Sequence, residues 1–161
     1  MLSTPSFESK ITPPQTIAQR TAGLIKPVVF TNGVFDLLHR GHVTYLAQAR
    51  AQGASLIVAL NDDNSTRQLG KGADRPINTL EDRMAVIAAL ECVSLVTWFS
   101  DSTPLSLIQA ITPQVLVKGG DWAVEKIVGA DWVQQHGGRV LSIPFEHERS
   151  TTRMLEKIRL G

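Results

Sequence analysis

Two histidines three positions apart, His39 and His42, stand in the run Thr31-Asn32-Gly33-Val34-Phe35-Asp36-Leu37-Leu38-His39-Arg40-Gly41-His42. At that spacing both imidazoles can face one side of a helix start, and Gly41 between them removes a Cβ where a nucleotide ring or a phosphate would otherwise collide. Asn32-Gly33 predicts a tight turn with positive φ, which lets backbone N–H groups come close to an anion. These residue types suit attack on the α-phosphate of a nucleoside triphosphate. Negative charge then builds on the phosphoryl oxygens and the leaving pyrophosphate, where a helix N-terminus, backbone amides and imidazole donors stabilise it. An attacking phosphate is already an anion, so no general base is required, and positioning with charge stabilisation carries most of the rate. The same pair of histidines has a zinc-binding spacing, but the sequence supplies no third ligand nearby.

Further groups that could serve such chemistry recur after other apolar runs. Asn61-Asp62-Asp63 offers amide and carboxylate groups for the hydroxyls of a polyol, or a helix cap followed by a solvated turn. Lys71 and Arg75 flank a glycine-containing loop that can close over phosphates, or are ordinary surface charges. Arg83 either forms a surface pair along its helix or reaches toward a phosphate. Lys118-Gly119-Gly120-Asp121-Trp122 allows close backbone approach beside a flat indole, or forms a turn anchored by its tryptophan. Ser150, Thr151 and Thr152 place hydroxyls at the start of the last helix, where they cap it or hold a phosphate. Trp98, Trp132, His136 and His147 are read as structural.

The elements that must position these residues follow from hydrophobic pattern. Val28 to Thr31, Ser55 to Leu60, Ser94 to Phe99, Val115 to Lys118 and Val140 to Ile143 are short and rich in Val, Ile or Leu, which predicts buried strands. Between them, Gly41 to Ala51, Leu80 to Leu90, Pro104 to Ile111 and Val124 to His136 carry helical spacing, and Thr79 with Asp82 approximates a capping box. Strand and helix in alternation predict an α/β fold with a doubly wound, five-stranded parallel sheet. In such sheets ligands bind beyond the carboxyl ends of the strands, which is where the chemistry-bearing residues fall. Residues 1–26, with a short possible helix from Gln15 to Ala22, read as a loosely held N-terminal extension to a domain spanning 27–161.

Composition narrows the classes. The 161 residues fit one domain, and 43% hydrophobic with 19% charged residues is a globular balance. A net charge of +1, with basic and acidic residues interspersed, argues against nucleic acid as a partner. The single Cys92 excludes an internal disulfide framework and reads as a small buried apolar residue in a reducing compartment. No run is long and apolar enough for a bilayer, so a cytoplasmic location is expected and no membrane partner.

Gly33-Val34-Phe35-Asp36 with His39-Arg40-Gly41-His42 resembles the motif of the cytidylyltransferase-like nucleotidyltransferase superfamily. Taken with Asn61-Asp62-Asp63, Arg75-Pro76-Ile77-Asn78, Glu81-Asp82-Arg83, Val117 to Asp121 and Ser150-Thr151-Thr152, the chain from Val28 to about Ile158 most resembles the D-glycero-β-D-manno-heptose 1-phosphate adenylyltransferases. The resemblance implies a Rossmann-like fold and a stand-alone transferase, a unit that many bacteria fuse behind a sugar kinase. It implies that ATP and heptose 1-phosphate give ADP-heptose and pyrophosphate, for the lipopolysaccharide inner core. It implies Mg²⁺ entering with ATP, with Asp36 holding the metal through water, and a homo-oligomer, a dimer being favoured. His39, His42 and Lys71 would stabilise the developing charge. Thr31, Asn32, Gly33, Phe35, Gly41, Arg83, Lys118, Gly119, Ser150, Thr151 and Thr152 would bind the nucleotide. Asp36, Asp63, Arg75, Gly120, Asp121 and Trp122 would bind the sugar phosphate. A cytidylyltransferase for glycerol 3-phosphate or a related alcohol phosphate is the alternative within this chemistry, and a non-catalytic nucleotide-binding module the alternative outside it.

Overall fold

Apolar runs of five to seven residues, too short for core helices, form the strands of a computed structural model that describes residues 3–70, 72, 74–146 and 151–160. They are β1 Val28–Gly33, β2 Ser55–Asn61, β3 Leu95–Phe99, β4 Val115–Gly119 and β5 Arg139–Ile143, all parallel, in the order β3-β2-β1-β4-β5. Central β2 is buried at every position, as expected of a parallel strand covered on both faces. Alternation along the strands feeds two cores. Phe30, Ile57 and Leu116 join Ile108 on one side, and Val29, Leu56 and Val58 join Leu46 and Ile87 on the other.

The chain runs outward from β1 through β2 to β3, then crosses back to place β4 on the other side of β1. The order therefore reverses between β1 and β4, and the carboxyl ends of those two strands open a crevice. Helices α1 Ile17–Ala22, α2 Arg40–Arg50, α3 Asp63–Gln68, α4 Leu80–Ala88, α5 Leu105–Ile111, α6 Ala130–Gln135 and α7 Thr151–Arg159 complete the fold. At α4 the Thr79 hydroxyl accepts the Asp82 N–H at 3.3 Å and donates to the Asp82 carboxylate at 2.9 Å, so Asp substitutes for the Glu of a capping box.

Three expectations are corrected. The helix read from Val124 to His136 breaks into a 3₁₀ turn, Val124–Lys126, and α6, because Gly129 adopts φ +85° and a Cβ there would meet Ile108 Cδ1 at 2.8 Å. The short α3 went unread, although Asp62 caps it by accepting the Ser65 N–H at 2.7 Å. The segment before Pro27 is not loosely held. Thr12 N–H donates to Val96 O at 2.8 Å alongside edge strand β3, the Lys10 ammonium donates to Leu90 O at 3.0 Å, and Ile17 is fully buried in the core. Its apolar residues are few but each is used. Among the described residues no helix is long and apolar enough to cross a membrane.

Candidate active site

Beyond the ends of β1 and β4 lie two cavities of about 410 and 430 Å³ that share a wall of Asn32, Gly33, Val34, Lys118 and Trp122. The first also holds His39, His42, Arg75, Thr151 and Thr152, with the aromatic rings of Tyr45 and Phe145.

The histidines face together as their spacing predicts. His39 is the N-cap residue of α2, with φ −143° and ψ 172°, and His42 follows in the first turn. Their rings stack with centroids 3.8 Å apart, and His42 takes the ring of Phe35 edge-on at 5.3 Å. The loop that delivers them has its left-handed residue at Phe35, φ 48°, rather than at the predicted Asn32-Gly33. Gly33 is needed for space instead, since a Cβ there would lie 2.9 Å from Phe35 Cε2. Phe35 is thus folded back over Gly33 and against His42.

That loop is fastened from outside the cavity by two charged side chains. The Asp36 carboxylate accepts from Arg75 Nε at 2.6 Å, from Ile77 N–H at 2.9 Å and from Asn78 N–H at 2.9 Å, and its side chain has no exposed surface. Arg83 is also fully enclosed. Its Nη1 donates to Val34 O at 2.7 Å and Asn61 O at 2.9 Å, Nε donates to Asn78 O at 3.1 Å, and Nη2 pairs with Asp63 at 2.7 Å.

On the opposite wall, Gly119 and Gly120 end β4. A Cβ on Gly119 would meet the Phe145 ring at 2.7 Å, and Gly120 has φ +118° with the Trp122 indole 2.8 Å from its missing Cβ. The Trp122 indole N–H donates to Gly119 O at 3.1 Å, and its backbone N–H donates to Ser142 Oγ at 3.0 Å, which holds a half-exposed flat ring over both cavities. Beneath the floor, the hydroxyls of Thr31 and Tyr45 share a 2.6 Å hydrogen bond. Burial pushes the Tyr45 hydroxyl well above its ordinary pKa despite that bond, so it stays protonated and donates to Val117 O.

The sequence profile described as Cytidylyltransferase-like matches residues 30–149, which include the histidine loop and all five strands save the first two residues of β1. The chain belongs to the cytidylyltransferase-like family. A Bordetella bronchiseptica protein named D-beta-D-heptose 1-phosphate adenylyltransferase is 52% identical over 162 residues, covering 99% of this chain and 100% of that protein. The bifunctional protein HldE of Azotobacter vinelandii is 56% identical over 132 residues, which are 82% of this chain and 28% of HldE. A lipopolysaccharide core biosynthesis protein of Thermoplasma volcanium superposes with a TM-score of 0.61 at 26% identity, over 79% of this chain and 100% of that one. A pantoate-beta-alanine ligase from Francisella tularensis shares the fold at 14% identity, with a TM-score of 0.57 over 88% of this chain and 68% of its own.

Within this cytidylyltransferase-like site, the structure brings together Asn32, Gly33, Phe35, His39, His42, Lys118, Gly119, Trp122, Thr151 and Thr152 along the first cavity. Arg75 and Asp36 line it too, but with Arg75 Nε and the whole carboxylate turned to each other and to the loop backbone. The expected metal role of Asp36 is therefore corrected: its oxygens are occupied by three donors and sealed from solvent. Among the described residues no cluster of three His, Cys, Asp or Glu could hold a metal ion, so these residues do not build a resident metal site.

Arg83 does not reach the cavity as predicted, because its guanidinium is consumed by three carbonyls and Asp63. Asp63 is accordingly a partner of Arg83 rather than a cavity residue, and Thr31 spends its hydroxyl on Tyr45. Gly41 is buried in the first turn of α2, and Gly120 and Asp121 flank the cavities without lining them. Lys71 and Ser150 lie outside the described residues, as does His147. Trp132 packs on the core with its indole on Thr112 and His136 stacked beside it, as structural readings require. Sequence reasoning missed Tyr45 and Phe145 in the first cavity and Ser102, Thr103 and Lys126 in the second. Ser102 and Thr103 directly follow β3, so the carboxyl-end rule that found the others already pointed at them.

Proposed function

We infer that this chain joins ATP to D-glycero-β-D-manno-heptose 1-phosphate, releasing pyrophosphate and ADP-heptose. The observation that carries this reading is the stacked pair His39 and His42 facing the start of α7 across one cavity, with a second cavity opening through a shared wall. A transfer between two phosphorylated substrates needs two chambers meeting at the reacting phosphorus. The near-identity in length to the Bordetella bronchiseptica adenylyltransferase supports the same acceptor.

In this reading the triphosphate lies between the imidazoles and the N-terminus of α7, where Thr151 and Thr152 offer donors at the positive end of the helix. The adenine lies against Phe145 and Trp122, after β5 and β4. The acceptor phosphate oxygen attacks the α-phosphorus in line, the bond to the β-phosphate oxygen breaks, and pyrophosphate leaves with the displaced electron pair. His39 and His42 donate to the oxygens where charge accumulates, with Lys71 and Lys118 as nearby cations. Mg²⁺ belongs to the substrate as Mg-ATP. The enzyme works in the cytoplasm, where ATP is available, as a homo-oligomer and in lipopolysaccharide inner-core synthesis.

Pyrophosphate release measured with ATP and with CTP, against heptose 1-phosphate, glycerol 3-phosphate and other phosphorylated alcohols, tests the assignment. ATP with heptose 1-phosphate is expected to dominate. Preference for CTP, or tight ATP binding with no acceptor turned over, would overturn it.

A further inference from the structure

We propose that the second cavity is the polyol-reading half of the acceptor site, with Asn61 as its specificity-determining residue and Ser102 and Thr103 assisting; this rests on the adenylyltransferase reading above. Three polar residues end β2, and the structure separates their roles. Asp62 is spent on capping α3, and Asp63 on Arg83. Asn61 is only 6% exposed and lines the second cavity, yet its side-chain amide makes no hydrogen bond among the described residues. Leaving a buried amide unpaired is unfavourable, so the position calls for a partner arriving from the cavity. One amide offers two donors and an acceptor at fixed separation, a match for neighbouring hydroxyls on a sugar.

The hydroxyls of Ser102 and Thr103 likewise make no hydrogen bond among the described residues, and both residues border the same space. Leu69 and Phe99 close its apolar side, as in small-molecule sites where few polar groups set orientation. The anion-binding groups divide unequally between the chambers. Both imidazoles, Arg75 and the α7 threonines line the first, whereas the second adds only Lys126 to the shared Lys118. The triphosphate therefore belongs to the first, and the acceptor, with its phosphate at the shared wall, extends its hydroxylated body into the second.

The test is steady-state pyrophosphate release by Asn61→Ala and Thr103→Val, with ATP and heptose 1-phosphate varied in turn. Losing one hydrogen bond to the sugar is expected to raise the acceptor KM about tenfold while the ATP KM stays within about twofold. Thr103→Val lies outside the strands and keeps the test decisive if Asn61→Ala folds poorly. An unchanged acceptor KM in Thr103→Val and in folded Asn61→Ala, or an equal rise in both KM values, overturns the proposal. A wild-type chain that releases no pyrophosphate from these substrates overturns the adenylyltransferase reading itself, and this proposal with it.

Discussion

Arg83 Nη1 donates to the carbonyl of Val34 at 2.7 Å, which ties the floor of the active-site crevice to the first turn of α4 from below. The same guanidinium holds Asn61 O, Asn78 O and the Asp63 carboxylate, so four segments meet on one buried charge. Truncation would strand three carbonyls and a carboxylate. Arg83→Ala is expected to destabilise the chain by about 3–5 kcal/mol, the range for breaking a buried charged pair from one side. A urea unfolding midpoint indistinguishable from wild type would show that the network is dispensable.

The N-terminal segment makes a second prediction. Ile17 has no exposed surface and packs with Ile108, Ile111 and Leu107 through α1 and α5. Ile17→Ala should cost about 2–5 kcal/mol, as for other deletions of buried aliphatic side chains. Chemical unfolding monitored by circular dichroism measures it, and a change under about 0.5 kcal/mol, typical of surface positions, would mean the segment is not part of the cooperative unit.

The division between what residues alone revealed and what they hid follows from range. The sheet was legible because Val28 to Thr31 or Ser55 to Leu60 must be buried on both faces, and burial of that kind is written locally in composition. The histidine pair was legible because a helix start fixes the geometry of residues three apart. Roles of charged residues were not, since they depend on distant partners: Arg83 meets Val34 across 49 positions and Asp36 meets Arg75 across 39. A motif places such a charge near a site without saying whether it faces ligand or scaffold. Ile17 was hidden for the same reason, because a polar, proline-rich neighbourhood says nothing of the groove that one isoleucine fills.

Asp62 supplies a pH dependence. Partial burial alone would raise its pKa, but the Ser65 N–H, the Ser100 and Ser65 hydroxyls and the Asn64 N–H together hold the carboxyl below its ordinary value of 3.8. A depressed folded pKa means the charged form is favoured by folding, so the contribution is complete above about pH 4 and is lost as pH falls below it toward the folded value. Asp62→Ala should cost about 1 kcal/mol at pH 7 through the lost cap, and less at pH 3. Asp62→Asn keeps an oxygen acceptor and should lose mainly the pH-dependent part. Equal destabilisation of Asp62→Ala at both pH values would contradict the assignment.

The histidines give the most direct test of mechanism. Their rings lie against each other and against Phe35, away from the two main core clusters, so removing one imidazole leaves strands and helices their packing. A preorganised donor to a developing phosphoryl charge contributes roughly 10²- to 10³-fold to kcat. His42→Ala should therefore lose at least that factor in pyrophosphate release, with an unfolding midpoint close to wild type. Because the two rings act on one charge, His39→Ala combined with His42→Ala should lose less than the product of the single effects. Gly33→Ala should mimic the loss without touching either histidine, since its Cβ would push Phe35 from 2.9 Å and Phe35 sets the edge against which His42 rests. Near-normal turnover in His42→Ala would mean that the imidazole pair is scaffold, and that the charge is stabilised elsewhere in the cavity.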